Sequence, residues 1–514
     1  MSRFRRAIHG ATSSYVLLAS STLCALISLP LALHYLSKER FALWALMSSI
    51  SGYLSLIDFG MSSSVARLLI DQKDLRENKA YGSLIQTGFL VLFAQGLILF
   101  FVCFSVAPWL AQVLKIAPAL QGEFIQLLRW QGVVLALTFL TRIFNHVLFA
   151  HQRLDLSNYA QIGTLFLTLF LVWQFFAAGY GVFSLVWSAL LAIACGGAVL
   201  FLICLRLRFF PSRGNWGKPS WRFFGELFAY GKDLFLVALG GQLIMASQTM
   251  IITRRLGLEL AAVWFAGTRA FGMVNQLVWR LYDSSAPAFG EMLARREMGT
   301  LLERYRIVFM LSCSFAAFCA ATYALCNSSF VMIWMAGKIA WPPFNDLLLA
   351  VWMVVSAIVH SHNSFIGLAK EIRFMRYVFF LEGAVFVVAA YAVSTQGQLP
   401  LIIICSIACS VLFSGSYGTW RVVKFFHSSF QQVGLHWLGP TWAFLWRFLP
   451  LAGVMWFATR PLVPVARLGI HGVVCSTVGL YFLARFGVPM AFQQELLKRA
   501  PVQARGLLAR LFGR

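Results

Sequence analysis

The 514-residue sequence is 60% hydrophobic and only 12% charged, with a mean hydropathy of +0.76, whereas soluble globular chains are about 25% charged. Water is therefore excluded as the solvent for most of its surface, and apolar runs of about 20 residues recur from end to end, leaving no room for a soluble domain. The net charge of +24 would point to nucleic acid in a soluble chain; here the excess sits in short loops and the tail, where it reads as topology and attraction to anionic lipid, with no nucleic-acid partner.

The chain opens with Arg3, Arg5 and Arg6 ahead of an apolar run from Ala11 to Leu36, too long for a signal-peptide core and read as the first span. Breaks at charged or Gly/Pro-rich stretches predict spans near 12–36, 41–69, 80–106, 124–150, 159–178, 183–205, 232–253, 259–283, 305–326, 343–368, 374–394, 399–423, 441–459 and 466–486. The expected fold class is an all-α polytopic membrane protein of about 14 transmembrane helices. With a cytoplasmic N-terminus, 28 of the 42 Lys and Arg fall on the inward side and 8 on the outward side, the asymmetry of a cytoplasmic-membrane protein with both termini cytoplasmic.

Span two carries Ser48, Ser51, Ser55, Asp58 and Ser62 at 3-4-3-4 spacing, one continuous helical stripe, and Arg67 near its inward end. Thr138, Arg142 and Asn145 form a second stripe in span four. A third runs through Arg269, Gln276, Arg280 and Asp283 in span eight, and a fourth through Ser356, His360, Asn363, Gly367 and Lys370 in span ten. Hydroxyl and amide stripes also serve to bridge helices. Arginine is harder to dismiss: Arg269 lies about ten residues, roughly 15 Å, into its span, too deep to snorkel, while Arg280, Arg142 and Arg67 either face a lumen or reach the inward surface. Guanidinium groups in a water-filled cavity suit a phosphate or pyrophosphate, whose oxygens their planar fork binds in bidentate fashion. Asp58 and Asp283 are left open as counter-ions, as proton or sodium sites, or as structural partners.

Six spans separate Asn145 with Tyr159 from Asn363 with Tyr377, two strings of the same internal spacing around charged turns. This repeat predicts two parallel lobes, 1–205 and 223–425, joined by a basic linker at 206–222. Two extra helices at 441–487 and a basic amphipathic tail at 488–514 complete the chain. The ten cysteines lie largely in apolar runs without metal-ligand spacing, and no phosphate loop, HExxH, CxxC or GxSxG is present. No cofactor, metal or catalytic residue is expected, and the short outward loops near 107–123 and 327–342, with Glu123 their one acid, argue against a glycosyltransferase or polymerase.

Phe41 and Trp44, the stretch Tyr53-Leu-Ser-Leu-Ile-Asp-Phe-Gly60 and then Arg67 resemble the corresponding hairpin of the polysaccharide transporter branch, O-antigen flippase type, of the multidrug/oligosaccharidyl-lipid/polysaccharide exporter superfamily. The resemblance implies two six-helix lobes around a cationic cavity. It implies movement of undecaprenyl-pyrophosphate-linked oligosaccharides between leaflets of the bacterial inner membrane, for O-antigen or exopolysaccharide synthesis. As partners it implies the lipid-linked oligosaccharide, membrane lipids, a polysaccharide polymerase and chain-length proteins. Substrate-binding residues are then expected among Arg269, Arg280, Arg142, Arg67, Gln276, Asn145 and Asn363, with rocking halves giving alternating access. Relatives carry an Asp in span seven where this chain has Gln248 and no acid nearby, which leaves Asp58 and Asp283 as the ion-coupling candidates. The rival reading is a drug or metabolite exporter of the same superfamily.

Overall fold

A chain whose backbone must satisfy its own polar groups in hydrocarbon has the helix as its main solution, and the computed structural model is helical throughout, with no strand among the described residues. It describes residues 3–72, 79–151, 153–369, 372–394 and 398–499 with a few tail positions beyond. In order the helices are α1 (Arg3–Tyr35), α2 (Lys38–Leu54), α3 (Met61–Gln72), α4 (Lys79–Val113), α5 (Pro118–Ala150), α6 (Leu154–Ala177), α7 (Phe183–Arg206), α8 (Trp221–Leu256), α9 (Leu258–Gly267), α10 (Arg269–Asp283) and α11 (Ala286–Ala294). There follow α12 (Met298–Trp334), α13 (Pro343–Leu368), α14 (Ile372–Val393), α15 (Leu399–Ser410), α16 (Ser416–Phe425), α17 (Gly439–Ala458), α18 (Pro464–Val474), α19 (Leu480–Phe482) and α20 (Met490–Arg499). Proline at the first position of α5, α13 and α18 starts each where its missing N–H costs nothing.

Among the described residues twelve helices are long and apolar enough to cross a membrane, so the protein is multi-pass. Two of the fourteen expected spans do not qualify. Span eight is broken into α9 and α10, and span thirteen corresponds to the 20-residue α17, which carries Arg447 and has Pro450 inside the helix. The helices gather into two compact units, residues 1–262 and 263–514.

In the first unit, Tyr81, Leu84, Phe139, Ile143 and Val147 form a buried core. α4 and α5 approach closely because Gly96 faces the Ala136 carbonyl, where an added Cβ would sit 3.0 Å from the oxygen. The linker after α7 is fastened to α4: the Tyr81 hydroxyl donates to the Phe209 carbonyl at 3.1 Å, Ser83 bonds the Lys218 carbonyl, and the Ser220 N–H donates to Thr87 at 3.0 Å.

In the second unit, Tyr282, Phe289, Tyr305, Phe309, Phe365 and Trp437 form one aromatic core. Phe444 and Phe448 of α17 pack with Ala317, Ala321 and Leu325 of α12 in another. His471 of α18 is fully buried, with Nδ1 2.8 Å from the Leu325 carbonyl and Nε2 2.9 Å from the Thr459 hydroxyl. Each unit also holds a tyrosine paired to a histidine that stacks on phenylalanine. Tyr81 lies 3.0 Å from His151, which stacks on Phe209, and Tyr305 lies 2.7 Å from His362, which stacks on Phe309.

Candidate functional site

The Tyr53-to-Gly60 string is a built interruption. α2 stops at Leu54, a single 3₁₀ turn covers Ser55–Asp58, and Phe59 and Gly60 take φ of 45° and 69°, a left-handed region that Gly60 adopts at no steric cost. The expected continuous serine stripe is therefore interrupted, because the helix axis changes between Ser55 and Ser62. The turn instead folds Asp58 back as a cap on α3: its carboxylate accepts the Ser62 N–H at 3.3 Å and the Ser62 hydroxyl. Arg142 of α5 closes the cluster, with Nη1 3.4 Å from Asp58 Oδ1 and its guanidinium 4.0 Å above the Phe139 ring. Gln95 of α4 covers the other side, donating to the carbonyls of Ile57 and Asp58 at 2.8 and 3.1 Å that the break has freed.

Other predicted residues of the first unit lie apart in role. Asn145 accepts a hydrogen bond from Ser157 of α6 at 2.6 Å, bridging two helices. The side chain of Arg67 lies outside the described residues, although its backbone belongs to α3. Gln248 is buried on α8, beside Ser247, which bonds the Tyr53 hydroxyl.

In the second unit α10 is strongly two-faced. Phe271, Asn275, Val278 and Tyr282 are buried, while Arg269, Gln276, Arg280 and Asp283 follow the opposite face at helical spacing. Gln276, Arg280 and Asp283 are exposed and Arg269 is half-buried. Arg269, Gln276 and Arg280 make no hydrogen bond or ion pair within the described residues, and the Arg269 Nε is buried without an acceptor. Asp283 is engaged: its carboxylate lies 2.8 Å from His360 Nε2, and His360 stacks on Trp279 with ring centres 4.8 Å apart and planes 9° from parallel. Ser356, one turn earlier on α13, donates to Asn275 at 3.0 Å.

The predicted residues thus assemble into two clusters, Asp58 with Arg142 and the α10 face with His360. Asn363 joins neither. It is buried, donates to the Ser414 carbonyl at 3.3 Å, and serves the π-helical turn Val411–Gly415. Sequence reasoning overlooked Gln95 and Glu382, each a lone polar group in an apolar run, and that isolation was the available signal. Glu382 accepts the Ser410 hydroxyl and the Ser414 N–H, both at 3.1 Å, at the same π turn. Trp279 gave no signal, since a tryptophan in an apolar run reads as lipid-facing.

A family profile described as polysaccharide biosynthesis protein matches residues 34–336. No curated protein matches the chain. Among solved structures, an inward-facing multidrug resistance MATE family transporter of the MOP superfamily is similar over 79% of this chain and 96% of its own, with a TM-score of 0.67 and 13% identity. An outward-facing one covers 82% of this chain and 96% of its own, with a TM-score of 0.59 and 12% identity. A MOP superfamily transporter from Pyrococcus furiosus, described by a reverse polarity of its binding pocket that suggests a different function, covers 82% of this chain and 96% of its own, with a TM-score of 0.58 and 13% identity. The chain belongs to the polysaccharide biosynthesis protein family and has the fold of MOP-superfamily transporters.

Proposed function

We propose that the protein is a flippase that moves an undecaprenyl-pyrophosphate-linked oligosaccharide from the cytoplasmic to the periplasmic leaflet by alternating access. The observation that carries this reading is the face of α10, where two guanidinium groups and an amide stand one above another without partners among the described residues. An unpaired arginine in a membrane protein is costly unless water or an anion meets it, and a pyrophosphate has the charge and the oxygens to do so. Arg269 and Arg280 hold the head group, with Gln276 between them, while the lipid tail stays in the bilayer. Arg142 contributes less directly, because Asp58 already neutralises it; this geometry supports the counter-ion reading of Asp58. The partners are the lipid-linked substrate, surrounding lipids and the polymerase and chain-length proteins of the same assembly line, in a bacterial inner membrane with both termini cytoplasmic.

An exporter of drugs or metabolites is the second reading, favoured by the likeness to multidrug MATE folds. The reverse pocket polarity described for the Pyrococcus furiosus transporter indicates that this fold does not by itself set the sign of the cargo. Complementation of a flippase-deficient strain separates the two, with surface polysaccharide scored at matched expression. Arg269→Ala is expected to abolish the product and Arg269→Lys to restore part of it. Full activity of Arg269→Ala would remove α10 from the mechanism, and failure of the unmodified protein would favour the exporter.

A further inference from the structure

The linker fastened to α4 leaves a space beneath it. α4, residues 219–228 at the start of α8, and Phe59 with Met61 of the α2–α3 break enclose a cavity of about 520 Å³ within the first unit, a size that holds a small ligand. Leu90, Val91, Ala94, Ile98, Phe224 and Phe228 make most of its wall. The polar groups that reach it are already engaged. Thr87 Oγ1 accepts the Ser220 N–H at 3.0 Å and donates to the Ser83 carbonyl at 2.7 Å, while Gln95 turns its amide nitrogen to the carbonyls of Ile57 and Asp58. Gln95 Oε1 is the one buried polar atom of this lining without a partner among the described residues, too little to hold a polar solute.

The cavity opens sideways, since Leu90, Ile98 and Phe228 stay 46%, 50% and 47% exposed, and exposed apolar side chains on a membrane span meet lipid tails. From Thr87 to Ile98 α4 rises roughly 16 Å, about half of a hydrocarbon core of roughly 30 Å. The space therefore reaches through one leaflet and stops. Its shallow end lies at Pro219, Ser220 and Trp221, the last 85% exposed as tryptophans at a membrane surface are. Lys79, Lys218 and Arg222 stand exposed at that end. The one acid of the first α8 turns, Glu226, pairs with Arg222 at 3.1 Å, which leaves an excess of positive charge at the level of lipid head groups.

We propose that this cavity binds one acyl chain of an anionic phospholipid, with the head group against Lys218 and Arg222. The chain runs along α4 to Phe59 and Met61, and its length is that of the leaflet it belongs to. Its far end packs beside Gln95, the residue that holds the carbonyls freed at the α2–α3 break, so the bound lipid braces that break. Neither the site nor its test depends on what the protein transports.

The test uses the full chain, purified and delipidated in detergent, with melting temperature followed as phosphatidylglycerol or phosphatidylcholine is added. A saturable rise with phosphatidylglycerol and a smaller one with phosphatidylcholine are expected, together with phosphatidylglycerol retained on the protein in native mass spectrometry. Ala94→Trp places a ring in the cavity and should abolish both the rise and the retained lipid. It leaves the charge of the chain untouched, so general attraction of lipid to a basic protein would survive it. Should Ala94→Trp fail to fold, Leu90→Trp narrows the exposed mouth instead and should act the same way. Lys218→Gln should weaken the phosphatidylglycerol response about fivefold. Equal responses to the two lipids, or a response unchanged in the tryptophan variants, would overturn the site. So would a stronger response to a polyprenyl phosphate than to phosphatidylglycerol, which would give the cavity to a different lipid.

Discussion

Asp58 shows how one residue serves two elements. It caps α3 through Ser62 and meets Arg142 of α5, yet both side chains of the ion pair keep partial exposure, 29% for Arg142 and 19% for Asp58, so screening limits the pair. A double-mutant cycle of Asp58→Asn and Arg142→Gln, read as heat stability in detergent, should give a coupling of about 0.5–1 kcal/mol; strictly additive shifts would mean that the pair does not act in the folded state. Glycines supply a second contrast. Gly267→Ala would push a methyl into the Trp341 ring and should cost about 1–3 kcal/mol. Gly272→Ala, on the open side of α10 with nothing near its Cβ position, should gain about 0.5–1 kcal/mol.

At the scale of elements, α10 makes a pattern that can be measured. In a background with the native cysteines replaced, single cysteines at 276, 280 and 283 should react with a membrane-impermeant maleimide in permeabilised cells, and cysteines at 271, 275, 278 and 282 should not. Uniform labelling, or labelling of the second set, would show that the polar face does not meet water. This stripe was legible in the sequence because its 7-4-3 spacing survives in the folded helix. The span-two stripe was legible only in part: its spacing assumed one helix, and the left-handed Phe59–Gly60 turn, a local backbone event with no periodicity of its own, intervenes. The break after Gly267 was equally hidden, since what makes glycine necessary there is the Trp341 ring, a neighbour 74 positions away in the chain. Asn145 and Asn363 were found by position, but their bonding to Ser157 and Ser414 depends on which helices adjoin them, which spacing does not encode.

For the molecule as a whole, the twelve qualifying spans among the described residues and the uneven Lys and Arg distribution carry most of what composition can say. An even number of crossings returns the C-terminus to the side of the N-terminus. With the cytoplasmic N-terminus proposed above, a fluorescent protein fused after Arg514 should glow and a phosphatase fused there should be inactive; the opposite result would mean an odd number of crossings or an inverted chain. The helices after 438 are not an appendage, because α17 and α18 bury the Phe444 and Phe448 cluster on α12 and bind the Leu325 carbonyl through His471. Truncation at residue 438 should leave that surface bare and lower the yield of folded protein, as scored by a monodisperse peak in detergent.

The stapled linker has a consequence for how the chain can be divided. Its tip, Ser212 to Gly214, is exposed, whereas Tyr81, Ser83 and Thr87 grip the segment on either side and α8 beyond it packs within the first unit. The easiest place to cut the polypeptide is thus not where its packing divides. Trypsin nicking at Arg213 should yield two fragments that travel together through purification, and residues 1–213 and 214–514 expressed as separate genes should reassemble, the second lending α8 to complete the first.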